Sequence, residues 1–113
     1  DILMKNLLKC SSVALLVLIT GIFAQAADLP QFKKGESYTS VRAKMIKSDW
    51  TPFHSSDADA CSEGDKRCEG RPEMEACAGT GMANCRFLWK KNGKTTAICT
   101  VGEEDNVFSG ICN

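Results

Sequence analysis

Cys61, Cys68, Cys77, Cys85, Cys99 and Cys112 have the most chemistry to offer in this sequence. Thiols can hold metal, exchange electrons or pair as disulfides. The spacings Cys61-x6-Cys68 and Cys77-x7-Cys85 lack the short C-x2-4-C pairs of structural zinc sites. No C-x-x-C is present, so thiol–disulfide oxidoreductase chemistry has no support. An even set of cysteines in a short exported chain reads as a disulfide framework. No cofactor and no metal is expected.

His54 is the only histidine, within Pro-Phe-His-Ser-Ser-Asp. That run gathers His, Ser and acid within a few residues. A catalytic triad needs such groups converging from separate positions, with an oxyanion hole. The solvated-loop reading of His54 is therefore favoured over a hydrolase using His54 with Asp57 or Asp59. Glu73 and Glu75 sit two apart on an expected short helix, so they face different directions and form no catalytic pair. Gly79-Thr80-Gly81 follows that helix and reads as its terminator rather than an anion-binding turn. No catalytic residue is expected.

Export comes from the N-terminus. Met4 reads as the start, after an upstream extension. Lys5 and Lys9 precede the apolar run Val13 to Ala24, and Ala24-Gln25-Ala26 has the small-x-small cleavage pattern. The run is shorter than the roughly 20 apolar residues of a spanning helix. Residues 1–26 are thus expected to be a secretory signal peptide that takes Cys10, the seventh cysteine, with it. No membrane anchor remains after cleavage. Basic and acidic residues number 14 each, so nothing argues for nucleic acid. What remains after cleavage buries only about 60–65% of its unfolded surface, so a core alone is marginal. Disulfides add about 2–4 kcal/mol each.

Four elements must position these residues. Residues 27–35 read as an extended leader and 36–113 as the disulfide-rich domain. Glu36 to Ser48 reads as a helix with the stripe Tyr38, Val41, Met45 and a flanking Ile46. Ser37 is placed to cap it, and Pro52 forbids its continuation. Trp50 and Phe53 are expected to fold back onto it. Ser55 to Gly70 is loop-like, and Pro72 to Ala78 suits a short helix. Cys85 to Val101 is a hairpin about Asn92-Gly93, the strongest short hairpin signal. Its register sets Lys91 opposite Lys94, Trp89 opposite Thr96, Phe87 opposite Ile98 and Cys85 opposite Thr100. Cys85, Phe87, Trp89, Thr96, Ile98 and Thr100 share the core face. Residues 107–112 give a third strand.

Cys85 and Cys99 point to opposite faces, so they should not bond. A turn at Asp105-Asn106 sets Cys99 opposite Cys112 and favours that pair. Cys61–Cys68 and Cys77–Cys85 are then the local choices, among 15 pairings for six cysteines. The same register puts Phe108 on the outer face with Leu88 and Ala97. Cover by the Cys-rich loop is preferred there; a candidate contact surface for a partner is the other reading. Lys90, Lys91 and Lys94 at the hairpin tip read as solvation, or a weak contact with an anionic surface.

Two segments resemble a group of small exported bacterial proteins of unknown function. Tyr38 to Pro52 is similar to a Tyr-x-x-x-Arg-x-x-Leu-Ile-x-x-Gly-Trp-x-Pro element, with Asp49 where that pattern has Gly. The second segment is Pro72-Glu73 through Cys77, Gly79-Thr80-Gly81 and Cys85-Arg86-Phe87-x-Trp89. The resemblance implies a bacterial periplasmic or secreted setting and carries over no activity. A helix followed by a meander is also similar in architecture to inhibitor-type and assembly-factor modules of the bacterial envelope.

The expected fold is α+β: one main helix on a three-stranded antiparallel sheet, stapled by three disulfides. The expected function is a small periplasmic or secreted, non-catalytic binding module, monomeric, contacting another envelope or extracellular protein. A small hydrolase using the His54 loop and a secreted antagonist are the alternatives.

Overall fold

The computed structural model describes residues 28–113. The expected signal peptide and the first residue of the leader lie outside this range. Helix α1 spans Tyr38–Lys47, followed by β1 (Thr51–Pro52), β2 (Met74–Cys77), β3 (Cys85–Lys91), β4 (Lys94–Val101) and β5 (Val107–Ile111). The fold is α+β, with an antiparallel sheet of five strands rather than three. The two extra strands, β1 and β2, are two and four residues long. Runs that short show no periodicity of their own.

Asn92 and Gly93 both adopt positive φ, 50° and 76°, as a type I′ turn requires. The β3–β4 register pairs Lys91 with Lys94, Trp89 with Thr96, Phe87 with Ile98 and Cys85 with Thr100. Tyr38, Val41 and Met45 of α1 bury against Phe87, Trp89 and Ile98 on the inner face of the sheet, and Trp50 and Met74 join the same core. Tyr38 stacks on Phe87 with ring centroids 3.9 Å apart. The leader has no regular secondary structure, yet it packs. Phe32 lies against the core, 5.1 Å from the Phe108 ring, and the Asp28 carbonyl accepts from Trp50 Nε1.

β1 and β2 share one edge of β3. Thr51 and Pro52 pair with Lys90 and Trp89; Met74 to Cys77 pair with Phe87 to Cys85. The expected short helix over Pro72–Ala78 is therefore a strand after a turn. Pairing with β3 gives its backbone a ladder and Cys85 gives its last residue a covalent partner, which outweigh a helix too short to offset its nucleation. Phe53 departs from its expected place on the helix. Its N–H bonds the Leu88 carbonyl, and its ring lies 4.3 Å from Lys90 Nζ on the outer side.

The third hairpin strand carries a bulge. Ile98 faces Ile111 and Cys99 faces Gly110, but Thr100 faces Phe108. Ser109 is the extra residue, and one extra residue flips every side chain beyond it. Phe108 therefore turns to the inner side, where it packs on the core. The expected outer surface of Leu88, Ala97 and Phe108 is not formed: Phe108 has left it, and Leu88 and Ala97 are buried.

Disulfides join Cys61 to Cys68, Cys77 to Cys85 and Cys99 to Cys112. Cys77 sits directly opposite Cys85 in the β2–β3 ladder. Cys112 lies past the strand, and its N–H bonds the carbonyl of Ala97. It thus reaches Cys99 diagonally on the outer face rather than from directly opposite.

Ser37 caps α1, its Oγ accepting from the Ser40 N–H. The helix stops in a Schellman geometry: Trp50 N–H bonds the Met45 carbonyl and Asp49 N–H that of Ile46. Asp49 takes φ 67° to do so. An L-residue there is strained and glycine is not. The Asp49 carboxylate makes no hydrogen bond or ion pair among the described residues, so nothing is lost with it. Asp49→Gly is expected to stabilise the fold by about 1 kcal/mol, raising Tm by about 4–8 °C in a domain of this size. Thermal melts of the two proteins at neutral pH check it.

The N-terminal side of the helix carries a pH-sensitive clamp. Glu36 accepts from the Lys33 N–H, the Ser40 hydroxyl and the Lys44 ammonium. These partners, the Lys33 backbone foremost, lower its pKa from 4.5 to about 2. A carboxylate with a depressed pKa contributes stability that is complete above 4.5 and fades as pH falls through about 2. The Tm difference between wild type and Glu36→Gln is expected to be constant above pH 5 and to shrink from about pH 4.5 to 2. A difference independent of pH over that window would remove the clamp.

Candidate functional site

Residues 53–73 form the longest segment without strand or helix in the described chain. Its composition alone, Ser, Asp, Gly and charge, would suit disorder. The structure instead closes it at a neck. Phe53 N–H donates to the Leu88 carbonyl at 3.0 Å, and Leu88 N–H donates to the Glu73 carbonyl at 2.8 Å. One residue of β3 thus holds both ends of the loop, and β1, Leu88 and β2 make a continuous edge.

Inside the loop, Cys61 and Cys68 are bonded, with Cys68 buried and Cys61 exposed. Arg67 grips Asp65 with Nε to Oδ1 at 2.9 Å and Nη2 to Oδ2 at 2.7 Å, while its Nη1 donates to the Ala78 carbonyl. The fork holds the Asp65 carboxyl below the usual range and raises Arg67. Asp59 N–H bonds the Glu75 carbonyl. Arg71 donates Nη1 to the Arg67 carbonyl and to Asn106 Oδ1, and Nη2 to Thr39 Oγ1. Buried Asn106 in turn donates Nδ2 to Thr100 Oγ1. The loop is thereby tied to α1 and to the approach to β5.

Beneath the loop lies a buried polar cluster that sequence reasoning missed. Glu73 is completely buried. Its Oε2 accepts from the Tyr38 hydroxyl at 2.9 Å and from Arg42 Nε at 2.7 Å, and its Oε1 from Arg42 Nη2 at 3.3 Å. Trp89 Nε1 donates to the Tyr38 oxygen. Burial first, and then the Glu73 carboxylate, push the Tyr38 phenol above its ordinary range, so it remains a donor. The bond to Glu73 raises Arg42. A signal did exist: Tyr38 and Arg42 are four apart on one helix face, so two donors converge on a site that needs an acceptor.

His54 is exposed, and its Nδ1 lies 3.1 Å from the Pro72 carbonyl. With Asp59, Met74 and the Cys61–Cys68 bond it lines an open depression of about 380 Å³. Among the described residues no ion pair joins His54 to a carboxylate. Asp57 sits in a turn, its backbone N–H donating to Ser55 Oγ. Glu75 is a bulged residue of β2 that pairs with Arg86. Gly81, at φ 66°, serves the β2–β3 connection rather than a helix end. Among the described residues no cluster of His, Cys, Asp and Glu is arranged to hold a metal ion. A second depression, about 390 Å³, runs between α1 and the end of the loop, past Thr39, Arg42, Ala43, Ile46, Glu69 and Arg71. No known protein family, curated protein or solved structure matches the chain.

Proposed function

We propose that the chain is a small exported binding module with no catalysis of its own, and that residues 54–72 are its contact surface. The observation that carries this reading is the closed neck at Leu88. Long loops without secondary structure are uncommon in compact domains, and those that are ordered tend to carry function. Fixing this one with a disulfide, an Arg67–Asp65 fork and an Arg71 tie lowers the ordering cost of binding. Three disulfides fit an oxidising extracellular or periplasmic environment. No helix among the described residues is long and apolar enough to cross a membrane.

The test uses the oxidised chain as bait against periplasmic and culture fractions. A captured protein is then purified and titrated against wild type and a variant with residues 62–66 replaced by Gly and Ser. At least tenfold weaker binding by the variant is expected. Equal binding moves the surface elsewhere, and no partner in any growth condition counts against the reading. Fractionating the culture separates a periplasmic module from a secreted antagonist.

The hydrolase reading keeps one observation in its favour: His54 and Asp59 line the same depression. Screening esters, peptides and phosphoesters with wild type and His54→Ala decides it. Only an activity that the variant loses supports it.

A further inference from the structure

We propose that the groove between α1 and the end of the loop binds an Asp or Glu side chain of a partner peptide, with an apolar neighbour of that residue seated on Ile46. The proposal rests on the loop being a contact surface and names what the partner presents there. Arg71 carries the argument. Its three hydrogen bonds go to neutral acceptors, the Arg67 carbonyl, Asn106 Oδ1 and Thr39 Oγ1, at 3.0–3.1 Å. It enters no ion pair among the described residues. Its guanidinium also lies over the Tyr38 ring, 4.8 Å from the centroid, so its plane is fixed.

A guanidinium has five N–H donors, and two remain here: the Nε–H and one on Nη2. They sit on adjacent nitrogens, the pair suited to a two-pronged grip on a carboxylate. The chain shows this grip at Arg42, three residues along α1 from Thr39, where it holds Glu73 through the same two nitrogens. Arg42 also lines the groove, and its Nη1 makes no hydrogen bond among the described residues. Glu69 is the one carboxylate on the rim, and it pairs with neither arginine. Ala43 and Ile46 form the apolar wall, and Ile46 is 48% exposed. The groove is open to solvent, so a side chain of another chain can reach it.

The test is an NMR titration of the oxidised chain, reading the Arg71 Nε–H and the Ile46 methyls. The probes are acetyl-Ala-Leu-Asp-Leu-Ala-amide, its Asn counterpart, and the Asn peptide with a free C-terminal carboxylate. Saturable shifts with the Asp peptide are expected, at least tenfold weaker with the Asn amide, and lost in Arg71→Gln and in Ile46→Glu. Ile46 is half-exposed, so its variant keeps the test usable should Arg71→Gln unfold. No saturation, or equal response to Asp and Asn amides, overturns the proposal. Tighter binding of the free-acid Asn peptide overturns it in favour of a C-terminus. A captured partner that holds Ile46→Glu as tightly as wild type overturns this groove and leaves the loop reading standing.

Discussion

Full reduction of the three disulfides is expected to unfold the domain at 25 °C. The bonds close loops with sequence separations of 7, 8 and 13, and none of the loops overlaps another. Each therefore restricts its own stretch of the unfolded chain. Loops of this size are worth about 2.5–3 kcal/mol each, or about 8 kcal/mol together. With the staples in place a domain of this size is stable by about 5–8 kcal/mol, the low end of the usual range. Losing about 8 kcal/mol therefore takes the fold past its midpoint. Trp50 and Trp89 are both buried and report on it directly. Titration with dithiothreitol should shift their emission to the red and collapse the far-UV signal together. Removing only the longest loop, with Cys99→Ala and Cys112→Ala, should cost about 3 kcal/mol and leave a folded protein. A native fold with six free thiols would show that the core needs no staple.

What could be read in advance follows from how local each signal is. The Asn92-Gly93 turn fixes its register within two residues, and alternation carries that register to Cys85 and Thr100. Ser37 and the Tyr38, Val41, Met45 stripe are equally local. Phe108 departs from simple alternation because Ser109 bulges, and a bulge leaves no mark in an alternating pattern. Pro72 and two acids suit the first turn of a helix, so Met74 to Cys77 carries a helical signal locally; the strand exists because β3 offers an edge. The neck at Leu88 joins three segments distant in sequence, so no window along the chain contains it. The groove has the same origin. Arg42 and Arg71 are 29 positions apart, and the contacts of Arg71 with Thr39 and the Tyr38 ring bring it to the same groove.

The buried cluster predicts an asymmetry between its two charged members. Arg42→Met should cost about 3–5 kcal/mol, the range for stripping a buried ion of its partner. It leaves Glu73 completely enclosed, with only the Tyr38 hydroxyl to hold its charge. Glu73→Gln should cost less, about 1–2 kcal/mol. The amide oxygen still accepts from Tyr38, and the Arg42 side chain, 27% exposed, retains access to water. At about 4–8 °C per kcal/mol, the two melts should be separated by at least about 4 °C. Replacing both residues with apolar side chains, Arg42→Met with Glu73→Leu, removes the charge problem together with the pair. The double variant should be more stable than Arg42→Met alone, even though it lacks one more hydrogen bond. Tyr38 then loses its acceptor and keeps only the Trp89 donor, which limits the recovery. If Glu73→Gln proves the costlier single change, the carboxylate is held by Tyr38 rather than by Arg42, and the order of the cluster must be reversed.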